Sequence, residues 1–426
     1  MRMPPTGRPA AAGLLRHAPT AAVLAMATLS ANVLAYALYL VLNRTLTPQD
    51  LGAVAALLNL TVISAVLALA LQLVAARRVA TGRAVASSRD ATEAASVATG
   101  TVLGLAVTGL LLLASPVVAT AFDLGGVLPA VLVALGVLPT YLTFAVQGCL
   151  LGRERFGTLG VLYVLVAGGR FLAGAGAAWA GLGVAGVLGA IAVAAWVTAA
   201  ISLAMVPAAV RGAGAQLRST WVRTVLHSAT ATSALLVVTN MDIPLARTVL
   251  SPVESGEYAV VSLFAKAAYW GPAFLATLFY PRMARATTRR SAVLAVGSTT
   301  VIALVGVALS AVLAEPLILV VGGPPYVGLA PLVPLLTASG AAWSVAQVLV
   351  YWRLSRGDHR LGYAVWAVAG LIAATVLLWR HDSIAQVAST VLAGGLAVSA
   401  YGMVLLLGTS PGRPAPVRAA PSVVDR

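Results

Sequence analysis

Long apolar runs separated by short polar clusters extend over most of this sequence. About 20 consecutive apolar residues, folded as a helix, cross the roughly 30 Å hydrocarbon core of a bilayer. The run 127–151 is typical, since it has no charged side chain between Asp123 and Arg153. The pattern predicts twelve transmembrane helices, with approximate bounds 20–42, 52–76, 94–121, 127–151, 157–180, 183–206, 224–250, 257–280, 291–313, 327–352, 361–379 and 383–407.

The composition supports an all-α integral membrane protein. Of the 426 residues, 60% are hydrophobic and 9% are charged, and the mean hydropathy is +0.96. A soluble domain carries about 25% charged residues. The net charge of +15 could suggest a nucleic-acid partner. However, the basic residues lie in short loops between apolar runs and form no stripe with aromatic side chains, so we expect no nucleic acid to bind.

The distribution of basic residues predicts the orientation in the membrane. Of 27 basic residues, 22 fall in the tails and the alternate connections that share one side, while Arg44, Arg247 and Arg380 fall on the other. Loops rich in Lys and Arg stay in the cytoplasm. We therefore expect a multi-pass protein of the cell membrane with both termini in the cytoplasm.

The predicted spans group into two lobes of six helices. We expect a cytoplasmic tail at 1–19, an N-terminal lobe at 20–207, a cytoplasmic linker at 208–223 and a C-terminal lobe at 224–408. The last segment, 409–426, is rich in Pro and Ala and has too little apolar surface to order itself, so we expect it to be disordered.

The two lobes resemble each other in sequence. A shift of 204 residues aligns proline with proline, glycine with glycine and arginine with arginine, in the pairs Pro48/Pro252, Gly52/Gly256 and Arg78/Arg282. Six spans per copy make this a parallel repeat, whose axis runs along the membrane normal. Such repeats are typical of transporters, with a cleft between the lobes.

The sequence contains no convincing catalytic, cofactor or metal motif. There is no phosphate-binding loop of the G-x-x-x-x-G-K-[ST] type. Gly181, Gly183 and Gly186 match G-x-G-x-x-G, but no strand precedes them, and small residues here indicate close helix packing. Gly408, Ser410 and Gly412 match G-x-S-x-G in a tail that cannot form a strand–turn–helix elbow. The four histidines lack metal-ligand spacing. We expect no catalytic residue, cofactor or metal.

Charged residues inside the spans are the candidate functional residues, because their burial in hydrocarbon is costly. Arg170 lies about 20 Å into the fifth span by helical rise, Asp242 about 12 Å and Lys266 about 15 Å into theirs. One interpretation is that Asp242 and Lys266 merely neutralise each other. The other is that Arg170, Lys266 and Arg247 line a cavity for an anionic headgroup, with Asp242 positioning or gating. Arg44 and Arg247 could instead act as interfacial anchors.

The segment 240–286 resembles the polysaccharide flippase branch of the multidrug/oligosaccharidyl-lipid/polysaccharide exporter superfamily. The matching features are Asp242, the turn Pro252-x-x-x-Gly256-x-Tyr258-Ala259, and Tyr280-Pro281 before Arg282; the first repeat has weaker counterparts from Asn43 to Arg78, and Gly322 to Tyr326 is similar to an outer turn of the family.

This resemblance implies a two-lobed, V-shaped transporter that moves an undecaprenyl-diphosphate-linked oligosaccharide from the inner to the outer leaflet. It implies a non-enzymatic role in cell-surface polysaccharide synthesis, coupling to an ion gradient or membrane potential, and partners among polysaccharide polymerases or glycosyltransferases. Fixed Arg or Lys charges in a wet cleft could replace the hydration of the diphosphate.

Two alternatives remain open. A multidrug or cation antiporter of the same superfamily typically has an acidic residue in its first span, whereas 20–42 contains none. A polytopic glycosyltransferase or polymerase needs acidic catalytic residues or a large outer loop, and the predicted outer loops are short. The lipid II flippases of the superfamily usually have fourteen spans, against twelve here.

Overall fold

The computed structural model describes residues 10–81, 86–213, 219–229, 232–285 and 289–408, and all regular structure in these ranges is helical. A 3₁₀ segment covers Pro324–Leu332. The α-helices are α1 (Ala10–Thr45), α2 (Pro48–Ser64), α3 (Val66–Thr81), α4 (Ala86–Ala121), α5 (Leu128–Leu135), α6 (Val137–Gly152), α7 (Phe156–Trp179), α8 (Gly183–Ala204), α9 (Pro207–Gly212), α10 (Ser219–Ser228), α11 (Thr232–Val238), α12 (Asp242–Val249), α13 (Pro252–Arg285), α14 (Arg289–Val312), α15 (Ala314–Val321), α16 (Val333–Leu354), α17 (Arg360–Leu378) and α18 (Ile384–Gly408).

The predicted all-α membrane fold is confirmed. Within the described ranges, ten helical segments are long and apolar enough to cross a membrane, or eleven if the bent pair Thr220–Ser228 and Ser233–Val249 forms one span. The predicted eighth span lies within α13. Each of the twelve predicted spans thus falls on one helix or on consecutive helices. The tail predicted at 409–426, and parts of the predicted N-terminal tail and linker, lie outside the described residues.

The described residues form two compact units. The first contains the chain up to Val260 with Ile318–Val327 and His381–Ile384. The second contains Val261–Leu317, Gly328–Arg380 and the chain from Ala385 onward. The lobe boundary at 208–223 stays a prediction.

Two spans of the first unit are interrupted near their middle. α2 ends and α3 begins around Ala65, and α5 gives way to α6 at Gly136. Each interruption frees a carbonyl that the bilayer interior could not satisfy. The Tyr141 hydroxyl donates to the Ser64 carbonyl at 2.7 Å, and Thr140 Oγ1 donates to the Gly136 carbonyl at 2.8 Å. Side chains therefore stabilise both breaks.

The two repeats begin their second helix with the same device. Before α2, Thr47 Oγ1 accepts a hydrogen bond from the Asp50 backbone N–H at 3.2 Å. Before α13, Ser251 and Glu254 cap each other: the Ser251 N–H donates to Glu254 Oε2 at 3.2 Å, and the Glu254 N–H donates to Ser251 Oγ at 3.3 Å. These pairs are related by the 204-residue shift, and such caps satisfy N–H groups at a helix start.

The starts of α2 and α13 touch each other at glycines. A Cβ added to Gly52 would lie 2.8 Å from the Gly256 backbone nitrogen, and a Cβ added to Gly256 would overlap the Pro48 carbonyl. Both positions therefore require the absence of a side chain. Gly52 and Gly256 occupy the same position in the two repeats, so equivalent residues are in direct contact within the first unit.

The turn between α7 and α8 explains two glycines of the rejected nucleotide-binding motif. Gly181 and Gly183 have φ of +68° and +64°, a region that glycine adopts readily. Close helix packing was predicted for these glycines, yet a Cβ at either position would meet nothing within 4 Å. Their role is conformational.

The second unit has its own core between α16 and α18. Trp343 is 2% exposed and donates from Nε1 to the Val391 carbonyl at 3.1 Å. Ser399 Oγ donates to the Ala342 carbonyl at 2.9 Å. Gln347 Nε2 donates to the Tyr269 hydroxyl at 2.8 Å, which links α16 to α13.

Candidate functional site

A cavity of about 300 Å³ lies within the first unit, where the two interrupted spans meet α7 and α8. Its walls are largely apolar, and four threonines, Thr61, Thr140, Thr143 and Thr198, contribute hydroxyl groups. The other lining residues are Leu58, Val62, Ala65, Leu69, Leu132, Val133, Gly136, Phe144, Val166, Arg170, Leu188, Ile191, Ala192, Ala195 and Leu236. We call this space the Arg170 cavity. Because both helix breaks, Ala65 and Gly136, lie on its wall, the interruptions shape it.

Arg170 is the one charged side chain among the described residues that line this cavity. It lies on α7 and is half-buried. Its Nε atom is buried, and within the described part of the chain no group accepts a hydrogen bond from it. A guanidinium has five N–H donors. Arg170 thus places, beside an apolar cavity, a cationic donor for which the described residues provide no acceptor. This arrangement is suited to binding an anionic group.

A polar residue of the same unit, Tyr39, interacts electrostatically with Arg170. The Tyr39 hydroxyl lies within electrostatic range of both the Arg170 guanidinium and the Asp242 carboxylate. Asn59 Nδ2 lies 3.4 Å from that hydroxyl and 2.7 Å from the Ala55 carbonyl, to which it donates. Tyr39 therefore lies near two of the predicted site residues, Arg170 and Asp242, in the same unit.

Asp242 begins α12 and is 6% exposed. Its Oδ2 accepts a hydrogen bond from the Tyr258 hydroxyl at 3.2 Å, and Tyr258 is fully buried. A carboxylate in the first turn of a helix is also stabilised by the positive end of the helix dipole. Asp242 is thus held in place by α13 and by its own helix.

Arg247 has a different environment, although it lies five residues from Asp242. Its side chain is 5% exposed and donates five hydrogen bonds. The acceptors are the carbonyls of Phe122 at 2.6 Å, Asp123 at 3.1 Å, Pro252 at 3.2 Å and Gln49 at 3.3 Å, and Ser255 Oγ at 2.8 Å. We call this arrangement the Arg247 clamp. Its donors are occupied by the protein, which favours a structural role over headgroup binding.

The other two predicted residues lie elsewhere. Arg44, at the end of α1, is exposed and donates from Nη2 to the Val320 carbonyl at 2.9 Å. That bond ties α1 to the segment Ile318–Val327 of the same unit. Lys266 lies on α13 in the second unit and is half-buried. Its pairing with Asp242 stays a prediction.

Sequence reasoning missed a buried ion pair at the start of α4. Glu93 is fully buried and accepts two hydrogen bonds from Arg153, whose pKa is raised chiefly by that side-chain hydrogen bond. The predicted span began at residue 94, so Glu93 was counted as a loop residue. It also missed Tyr39, which a search for polar groups within the first span would have found. No cluster of three or more metal-ligating side chains occurs in the described residues.

Comparisons with known proteins identify the fold. No protein-family model and no curated protein sequence matches this chain. Among solved structures, it is similar to an inward-facing multidrug resistance MATE family transporter of the MOP superfamily (TM-score 0.73, 13% identity, 89% of this chain and 94% of that one).

Two further structures have different reported roles. The lipid II flippase MurJ in an inward closed conformation matches with TM-score 0.68 and 11% identity over 91% of this chain and 88% of the other. A MOP superfamily transporter from Pyrococcus furiosus, described as having a binding pocket of reverse polarity, matches with TM-score 0.54 and 16% identity over 91% and 94%. The chain therefore has the fold of MOP superfamily transporters.

Proposed function

We propose that this protein is a carrier for an amphiphilic anion, and that the anion is a polyprenyl-diphosphate-linked oligosaccharide. It would move this lipid from the inner to the outer leaflet of the cell membrane for cell-surface polysaccharide synthesis. The observation that carries the proposal is the Arg170 cavity, where one uncommitted guanidinium meets an apolar space edged with hydroxyls.

The chemistry of the cavity suits a diphosphate attached to a lipid. Guanidinium groups bind phosphate oxygens through paired, charge-assisted hydrogen bonds. In a low-dielectric environment, that interaction can replace part of the hydration that the diphosphate loses. At about 300 Å³, the cavity is at the small end for ligand sites. It would therefore receive the charged headgroup and leave the glycan and most of the lipid chain outside.

Asp242 supports a second candidate, a cation or multidrug antiporter. A buried carboxylate with a tyrosine partner could carry the proton or the cation in exchange. The two functions assign the essential charge differently. An anion carrier requires Arg170, whereas a cation carrier requires Asp242.

The decisive experiment is transport in vesicles reconstituted with a lipid-linked oligosaccharide, with a proton gradient or membrane potential imposed. For the anion carrier we expect Arg170→Gln to lower the transport rate at least tenfold, and Arg170→Lys to keep part of it because the charge survives. The parallel assay follows a cationic dye, with Asp242→Asn as the test variant.

Each outcome distinguishes the candidates. If Asp242→Asn abolishes dye transport and Arg170→Gln leaves it unchanged, the antiporter would replace the flippase as the proposed function. Full glycolipid transport by Arg170→Gln, present at wild-type level in the vesicles, would refute the role of the Arg170 cavity.

The proposed partners are polysaccharide polymerases or glycosyltransferases of the same assembly route.

The proposal also places both termini in the cytoplasm. This orientation rests on the arginine distribution. A cysteine at Val253, which is 42% exposed at the start of α13, should react with an impermeant thiol reagent from outside intact cells. A cysteine at Thr220, exposed on α10, should react only after permeabilisation. The reverse pattern would overturn the orientation; Cys149 is buried and gives little background.

A further inference from the structure

A second cavity, of about 400 Å³, lies in the first unit beside α3 and α10. Its residues divide into an apolar pair and a polar group of two arginines and three hydroxyl side chains. They are Leu73, Val74, Arg77, Arg78, Thr81, Thr224 and Ser228. None of them lines the Arg170 cavity. We call this space the twin-arginine cleft.

Arg78 is held in a fixed position in this cleft. Its guanidinium carbon lies 4.3 Å from the centre of the Trp221 ring, and Trp221 is 4% exposed within a hydrophobic cluster. Its Nη2 donates to Thr224 Oγ1 at 3.0 Å. The stacking and the hydrogen bond fix the plane of the guanidinium. Thus part of the entropy cost of ordering a flexible arginine is met before any ligand arrives.

The two arginines are also not neutralised. Elsewhere in the described chain, Arg153 pairs with Glu93 and Arg353 pairs with Asp358. Within that same part of the chain, no ion pair joins Arg77 or Arg78 to an acidic side chain. Two neighbouring cations with free donors in a concave site attract a dianion, because the Coulomb term adds and each guanidinium can bind two oxygens.

We propose that the twin-arginine cleft binds the dianionic phosphate group of a membrane amphiphile. Arg77 and Arg78 hold the phosphate oxygens, and the Ser228 hydroxyl supplies a neutral donor, while the Thr81 hydroxyl donates to the Arg77 and Arg78 carbonyls at 3.1 Å. The side chain of Leu73, 50% exposed, lies at the apolar end and contacts the beginning of an acyl or prenyl chain. The site goes beyond the proposed transport function and does not depend on it, because none of the described residues lines both this cleft and the Arg170 cavity.

A simpler account treats these arginines as a solvated basic cluster that sets membrane orientation. That account requires charge on one side of the membrane and nothing more. It gives no reason for a cleft, for the stacking on Trp221 or for the hydrogen bond to Thr224. It also predicts that any arginine on the same surface contributes equally to anion binding.

The test is ligand binding to the full-length protein in detergent, measured by native mass spectrometry and by the change in tryptophan fluorescence. The probes are dioctanoyl phosphatidic acid, dioctanoyl phosphatidylcholine and inorganic phosphate. We expect phosphatidic acid to bind, and the Arg77→Gln/Arg78→Gln variant to bind it at least tenfold more weakly. Trp221→Phe should abolish the fluorescence change while the mass signal of the bound lipid remains.

Matched controls separate the site from general charge. Arg223 is exposed on α10 next to Thr224 but does not line the cleft, so Arg223→Gln should change the affinity less than twofold. Thr224→Val keeps charge and volume but releases Arg78, and should weaken binding about threefold. This single variant also keeps the test valid if the double variant unfolds.

The outcomes are distinct. Inorganic phosphate that displaces phosphatidic acid identifies a site for phosphate itself, and phosphate that fails to displace it identifies a site that also reads the lipid chain; both support the cleft. Equal losses in Arg223→Gln and the double variant, or equal binding of phosphatidylcholine, would overturn it. Arg170→Gln should bind phosphatidic acid normally, so failure of the transport proposal leaves this result unaffected.

Discussion

Arg170 and Arg247 are both arginines inside predicted spans of the same unit, but their guanidinium groups differ in hydrogen bonding. Arg247 gives all of its observed hydrogen bonds to four backbone carbonyls and one hydroxyl of the chain itself. Arg170 faces a cavity, and its Nε finds no acceptor in the described residues. Depth in the membrane alone therefore does not separate a functional charge from a structural one. What separates them is how many of the hydrogen-bond donors the protein already uses.

The strongest test of this contrast is the loss of each arginine in turn. Arg247→Gln should lower the free energy of unfolding by about 3–5 kcal/mol, because it leaves several buried carbonyls without a donor. Arg170→Gln should change it by less than about 0.5 kcal/mol, since no such partner is abandoned. Both values are measurable by denaturation in mixed detergent micelles. Equal losses in the two variants would contradict the assignment of different roles.

A smaller effect is expected at the glycine crossing beside the Arg247 clamp. Gly256→Ala adds a methyl group that overlaps the Pro48 carbonyl, so α2 and α13 must separate. We expect a loss of about 1–3 kcal/mol, the usual range for an overpacked site. Gly168→Ala on α7 is the matched control, because a Cβ there meets nothing within 4 Å. If Gly256→Ala is as stable as this control, the helix starts are not held in close contact.

The hydrophobic pattern was sufficient to predict where the helices lie, but it did not predict where they are interrupted. All twelve predicted spans fall on helices because about 20 apolar residues have one stable form in a bilayer. The break at Ala65 has no sequence signal at that residue, since the residue is neither proline nor glycine. Its freed carbonyl is satisfied by Tyr141, a residue 77 positions away. A tertiary contact of this kind leaves no local signal in the sequence.

The sequence was sufficient to select candidate residues for the site, but not to predict the role of each residue. The argument from buried charge selected Arg170 and Asp242, which the structure places in one unit with Tyr39 near both. The same argument selected Arg247, whose partners lie on three separate segments, so the spacing of residues in the sequence does not reveal them. Glu93 was missed for a simpler reason: the predicted span began one residue too late.

The contact between Gly52 and Gly256 limits how the two repeats can change. When two copies of one motif touch at the same position, the geometry is that of an isologous interface, where a residue at the two-fold axis meets its own counterpart. In a symmetric homodimer, a single mutation at such a position would have added bulk on both sides of the contact at once. In this single chain each copy can mutate alone, yet a side chain at Gly52 would meet Ser255 and Gly256, and a side chain at Gly256 would meet Pro48. Each glycine is thus confined by the first turn of the other repeat, so neither position can accept a side chain unless the two helix starts move apart.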